Sequence, residues 1–166
     1  MSFETAYDKM MVDEGGYILH TIPGDTGGTT YAGIARNKNP QWAGWSFIDA
    51  KETPPTELVR DFYRANYWNP IRGDELNPAI AQSIFNFGVN AGVSVAVKLA
   101  QIVAKTAPDG VIGPKTISAL NGMSEELFIA HYALAKIARY RDIVQRDRSQ
   151  IKFLLGWVSR TLRGLQ

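Results

Sequence analysis

The 166-residue chain contains no cysteine. Disulfides, thiolate metal ligands and a cysteine nucleophile are therefore excluded. Its two histidines, His20 and His131, are far apart in sequence. That spacing holds no metal, so neither a metal nor another cofactor is expected. No apolar run reaches the ~18 residues that a membrane span requires, so stable membrane insertion is not expected. The opening Met-Ser-Phe-Glu-Thr-Ala-Tyr-Asp lacks the basic-then-apolar layout of a signal peptide. The expectation is synthesis and folding in a cytoplasm. A glycine-rich stretch, Gly24-Asp25-Thr26-Gly27-Gly28-Thr29, is not followed by the Lys-Ser/Thr pair that a phosphate loop needs.

What is present is ordinary for a globular domain: 45% apolar and 20% charged residues. The length fits one domain with a real core. The net charge of +2 hides an asymmetry. Residues 1–75 carry 7 Lys/Arg against 11 Asp/Glu, whereas residues 136–166 carry 8 against 2. The basic end suits an anionic polymer, whether nucleic acid, phospholipid headgroups or cell-wall carboxylates, or else a solvated helix face.

Glycine and proline mark out the elements. Ser2 is placed to cap a helix over about 3–14, with Phe3, Ala6, Tyr7, Met10 and Met11 as its apolar stripe. Residues 17–35 read as an irregular β-hairpin. Thr53-Pro54-Pro55 opens a second helix that closes at Trp68-Asn69-Pro70, and Asn77-Pro78 opens a third, ending at Gly88 or Gly92. A fourth runs from Ser94 to about Lys105, a short one follows Gly113-Pro114, and a long one spans Leu127 to about Gln145. A polar stretch, 145–150, precedes a final helix. The fold class expected is mainly α, with one small β element after the first helix and a helical lobe.

The residue of most chemical interest is Glu14. Counting by threes and fours from Tyr7 and Met10 places it on the inward stripe, at a helix end broken by Gly15-Gly16. Desolvation and the negative end of the helix dipole would there favour the protonated carboxyl. A glutamic acid protonated near neutral pH can donate to a glycosidic oxygen. The plain alternative is a surface glutamate. Asp25, eleven residues on, is either a turn aspartate or the ionised partner that glycoside hydrolysis requires. Thr29 and Thr30 offer hydroxyls, and strand alternation turns only one of them toward Asp25, with Thr30 favoured. Tyr17 and Tyr31 flank the hairpin as sugar-stacking or core aromatics. Asn86 and Asn90, one helical turn apart, either face a substrate or tie down a loop.

Four blocks resemble glycoside hydrolase family 108: Glu14-Gly15-Gly16-Tyr17, residues 23–34, Trp68 before Asn69-Pro70, and residues 85–92. That family contains N-acetylmuramidases of phage endolysins and bacterial secretion-activator-like proteins. The resemblance implies a lysozyme-like α+β fold with the Glu14 position catalytic. Asp109-Gly110-Val111-Ile112-Gly113-Pro114-Lys115-Thr116 and the helix after it resemble the peptidoglycan-binding segment that accompanies the family. The implied layout is a catalytic region over 1–107 and a peptidoglycan-binding segment over 108–166. The order Glu14, Asp25, Thr30 is similar to the triad of phage lysozymes, with different spacing. The expected protein is a monomeric, bacteriolytic endolysin acting on peptidoglycan glycan strands, not on nucleic acid. It would reach the wall through a holin-type lesion or an export route. A lytic transglycosylase and a non-catalytic wall-binding protein are the rivals.

Overall fold

The computed structural model describes residues 2–21 and 28–166. The chain divides into two compact units, Met1–Asn69 and Pro70–Gln166.

The first unit opens with helix α1, Phe3–Asp13, whose Phe3, Ala6, Tyr7, Met10 and Met11 are buried as their spacing predicts. Ser2 occupies the N-cap with extended backbone, but its hydroxyl makes no capping bond, contrary to expectation. A three-stranded antiparallel sheet follows: β1, Leu19–Thr21; β2, Thr29–Tyr31; β3, Ile34–Ala35. In β1–β2, His20 pairs with Thr30; in β2–β3, Tyr31 pairs with Ile34. A short helix α2, Gly44–Asp49, precedes α3, Thr56–Tyr63. The helix continues as a π-helical turn over Arg64–Trp68, where the Asn69 amide donates to the Arg64 carbonyl at 2.8 Å. Pro70 ends it, having no amide hydrogen to extend the ladder.

Aromatic side chains fill this unit. The Phe3 ring lies 5.6 Å from Trp68, and Tyr7 lies 6.0 Å from Tyr63. Val59, Tyr63 and Trp68 are all within 2% of full burial. Each such side chain contributes about 1.5–3 kcal/mol by leaving water. The Arg36 guanidinium holds β3 against α2 through both oxygens of Asp49, at 2.7 and 2.8 Å.

The second unit is helical. A 3-10 turn, Gly73–Glu75, leads to α4 (Pro78–Ala91), α5 (Val93–Val103), α6 (Pro114–Asn121) and α7 (Glu125–Arg146). A second 3-10 turn, Arg148–Gln150, separates α7 from α8 (Ile151–Arg163), matching the predicted polar interruption. The Ser124 hydroxyl accepts from the Leu127 amide and caps α7. Gly92, at φ +92°, breaks α4 from α5 in a conformation side chains disfavour.

The core of this unit gathers Ile80, Ile84 and Phe85 of α4, Val97 of α5, Leu120 of α6, and Phe128 and Tyr132 of α7. The buried Tyr132 hydroxyl donates to the Ala96 carbonyl at 2.8 Å. Asn121 ties α6 to the start of α4, its Oδ1 accepting from the Asn77 amide at 2.8 Å. Among the described residues no helix is long and apolar enough to cross a membrane.

Candidate active site

Helix α1 ends in two glycines with left-handed backbone, Gly15 at φ +83° and Gly16 at φ +82°. The Gly16 amide donates to the Met11 carbonyl and the Gly15 amide to the Val12 carbonyl, at 2.8 and 3.2 Å. This is a Schellman cap, which only glycine enters without steric penalty at C′. Glu14 is thereby fixed as the C-cap residue, at φ −80° and ψ 0°.

The sequence placed Glu14 on the buried stripe, but the residue is exposed. The stripe keeps its phase through Met10 and Met11 and the core ends there, so the cap opens to solvent. The carboxylate lies beside the hairpin turn. Between β2 and β3, Ala32 (φ +49°) and Gly33 (φ +79°) form a two-residue hairpin turn. Positive φ at both positions is the type I′ signature. Alanine there is strained by roughly 1–2 kcal/mol. Two bonds hold Ala32 in place: its amide donates to the Ile18 carbonyl at 3.1 Å, and its carbonyl accepts from the Tyr63 hydroxyl at 2.9 Å. A Cβ on Gly33 would collide with that hydroxyl and lie 3.4 Å from Glu14 Oε2. The bare Gly33 backbone therefore makes room for both groups.

Tyr63 and Tyr67 complete the surround. Their rings are 5.6 Å apart, and both phenols feel the Glu14 carboxylate. Burial first, and then the Glu14 charge, push both hydroxyls above the ordinary tyrosine range. Both stay neutral hydrogen-bonding groups across the physiological pH range. Tyr67 sits in the π-helical turn, an irregularity frequent at functional sites. The arrangement offers a solvent-reaching carboxylate at the negative end of a helix, bordered by a strained turn and two neutral phenols.

Two family models match the chain. Residues 7–92 match the family model described as Glycosyl hydrolase 108. The chain belongs to glycosyl hydrolase family 108. Residues 94–162 match a second model, Predicted Peptidoglycan domain. The solved structure of Brucella abortus SagA is similar, with 30% identity and a TM-score of 0.72, over 98% of this chain and 91% of that one. No curated protein matches. The fold is mainly α with a small antiparallel sheet, the lysozyme-like α+β class expected.

The other predicted site residues of this family-108 chain fall in varied places. Asp25 lies outside the described residues. Thr30 is half-buried in the central strand, opposite His20. Tyr17 is partly exposed and shares a 2.9 Å hydrogen bond with the buried Tyr7 hydroxyl. Tyr31, a sugar-stacking or core candidate, is an interior residue whose ring stacks 6.1 Å from Trp42. Strand alternation explains this: Tyr31 and Thr30 point to opposite faces of β2. Trp42 offers no free platform, because Tyr31 and Gly44 lie against its ring system. It lines a shallow groove of about 300 Å³ with Gln41, Phe62 and Asn66. In the second unit, Asn90 donates to the Asn86 carbonyl at 2.9 Å and so ties down its own helix. The Asn86 Oδ1 is shielded from solvent and accepts no hydrogen bond among the described residues.

Sequence reasoning missed Gly33, Tyr63 and Tyr67 as neighbours of Glu14. The signal was present: tyrosines at i and i+4 share a helix face, and a buried phenol needs a partner.

The motif at 109–116 proves to be a knot around one buried amide. Gln101 is 1% exposed. Its Nε2 approaches Asp109 Oδ1 (2.8 Å), the Val111 carbonyl (3.0 Å) and Thr116 Oγ1 (3.2 Å). Its Oε1 accepts from the Gly110 amide at 2.9 Å. The Val111 amide and then Gln101 hold the Asp109 carboxyl below the usual aspartate range.

Proposed function

We propose that this family-108 protein is a peptidoglycan hydrolase that cleaves the β-1,4 bond between N-acetylmuramic acid and N-acetylglucosamine. Glu14 is the general acid. It delivers its proton to the glycosidic oxygen as the bond from that oxygen to the muramic acid anomeric carbon breaks. Water attacks that carbon and gives up its proton to the Asp25 carboxylate, with Thr30 helping to place the water. The products are a reducing muramic acid end and a free hydroxyl on the departing sugar.

The observation that carries this reading is the Glu14 carboxylate, set at a helix end beside Gly33 and close enough to Tyr63 for its charge to act on that phenol. Gly33, Tyr63 and Tyr67 act as positioning residues. The family membership and the Predicted Peptidoglycan domain supply the substrate class. The phage-endolysin setting, the monomeric state and passage through a holin-type lesion belong to the same proposal.

The test is hydrolysis of purified peptidoglycan followed by mass spectrometry of the products. Reducing, non-anhydro ends are expected, and Asp25→Asn is expected to slow the reaction by at least ~100-fold. Full activity in Asp25→Asn together with 1,6-anhydro ends would instead assign a lytic transglycosylase. The Predicted Peptidoglycan domain also favours a second reading, binding without catalysis. That reading requires a Glu14→Gln variant to keep the entire biological effect.

A further inference from the structure

Helix α8 is amphipathic in an unusual sense, with one face packed, one apolar face open and one cationic face. The packed face is set by Trp157, whose ring stacks 5.2 Å from Tyr140 of α7. Thr161 is buried beside it, its hydroxyl donating to the Trp157 carbonyl at 3.0 Å. These contacts fix the rotation of the helix. They leave a second stripe pointing outward, Ile151, Leu155 and Leu162, with the half-buried Val158 along its edge and the exposed Leu165 just past the helix end. Ile151, Leu155 and Leu162 are 57%, 79% and 54% exposed. The remaining exposed positions include Lys152, Arg160 and Arg163. Residues 148–166 hold four cationic side chains and no acidic one.

We infer that α8 is a docking surface for an anionic phospholipid bilayer, lying in the headgroup plane with its open apolar stripe turned toward the acyl region. A cationic helix with an unpartnered stripe of large aliphatic residues has the composition of an interfacial helix. Charge selects the lipid sign: each Lys or Arg near an anionic leaflet adds attraction that neutral lipid does not offer. Long cationic side chains reach the headgroups while their stems stay against the apolar layer. Thirteen residues at about 1.5 Å each make a helix of roughly 20 Å. A stripe along it covers on the order of 200 Å², far below the ~800 Å² per partner of a stable protein interface. A second copy seated there would also oppose like charges, because a two-fold contact sets the same patch against itself. An anionic glycan-linked polymer would use the charges but leave the aliphatic stripe in water. The bilayer uses both.

The experiment is vesicle co-sedimentation of the full chain, with liposomes of phosphatidylcholine alone and of phosphatidylcholine with 30% phosphatidylglycerol. No glycan is present, so failure of the hydrolase reading leaves the result intact. The expected partition onto anionic vesicles exceeds that onto neutral ones at least ~10-fold and falls steeply with salt. Leu155→Glu with Leu162→Glu removes binding at least ~10-fold at unchanged far-ultraviolet circular dichroism. Lys152→Glu with Arg163→Glu, a second pair at exposed positions, does the same. Equal partition onto neutral vesicles, or binding unchanged by both pairs, overturns the proposal. So does a wild-type dimer in sedimentation that Leu155→Glu converts to monomer, which would assign the stripe to a second copy.

Discussion

The Glu14 carboxylate and the Tyr63 hydroxyl meet at one bare backbone position. A side chain on Gly33 would strike the phenol and press on Glu14 Oε2. The same phenol donates to the Ala32 carbonyl and so pins the strained turn beside the acid. The turn, the phenol and the acid are therefore one unit of structure, and its parts should fail together.

Gly33→Ala is expected to lower peptidoglycan clearance at least tenfold and to destabilise the fold by about 1–3 kcal/mol, from left-handed strain plus the collision. Thermal unfolding and turbidity loss measure the two effects. Tyr63→Phe loses the bond to Ala32 and costs about 1–2 kcal/mol. The double variant is expected to be less destabilised than the sum by about 1 kcal/mol, because phenylalanine removes the atom that the new methyl strikes. Additive effects would contradict the shared contact.

Gln101→Leu should be severe. It removes the common partner of Asp109, Gly110, Val111 and Thr116. The expected loss is about 2–4 kcal/mol in urea unfolding, the cost of stranding buried polar groups. A loss below 0.5 kcal/mol would mean that the loop stands without it.

Lys136 gives the pH dependence. Burial lowers its ammonium to about 8, while the charge lies 4.9 Å from the Phe87 ring centre and 4.6 Å from that of Tyr132. A lysine lowered in the folded state binds fewer protons there than when unfolded, from pH 8 up to the free value near ~10.4. Its contribution to stability therefore rises with pH across that window and is unfavourable below it. Lys136→Met should remove the rise and stabilise the protein at pH 7 by about 1–3 kcal/mol, less whatever the two ring contacts return. Denaturant unfolding of both proteins at pH 7 and pH 10 measures the difference. Equal gains at both pH values would contradict it.

Local patterning carried much of the fold. The α1 stripe, the Ser124 cap and the break before α8 follow from spacing and capping chemistry. Helix α2 escaped because its six residues bury only Gly44 and Trp45, too few for a period to show. The exposure of Glu14 escaped for a different reason. Helical phase tells which face a residue shares, but not where the core beneath that face stops. Tyr31 read as a sugar-stacking or a core aromatic, and its burial against Trp42 does not follow from the local pattern. The approach of Glu14 to Gly33 and Tyr63 brings together residues 19 and 49 positions apart, a closure that no local pattern encodes.

The proposed hydrolysis turns on one proton, so the deciding measurement is turbidity loss of purified peptidoglycan with wild-type protein and with Glu14→Gln, products read by mass spectrometry. The amide keeps the size of the side chain and removes only its acid. Clearance by wild type with reducing, non-anhydro muramic acid ends is expected, with a fall of at least ~1,000-fold in the folded variant. Equal clearance by both proteins would contradict it.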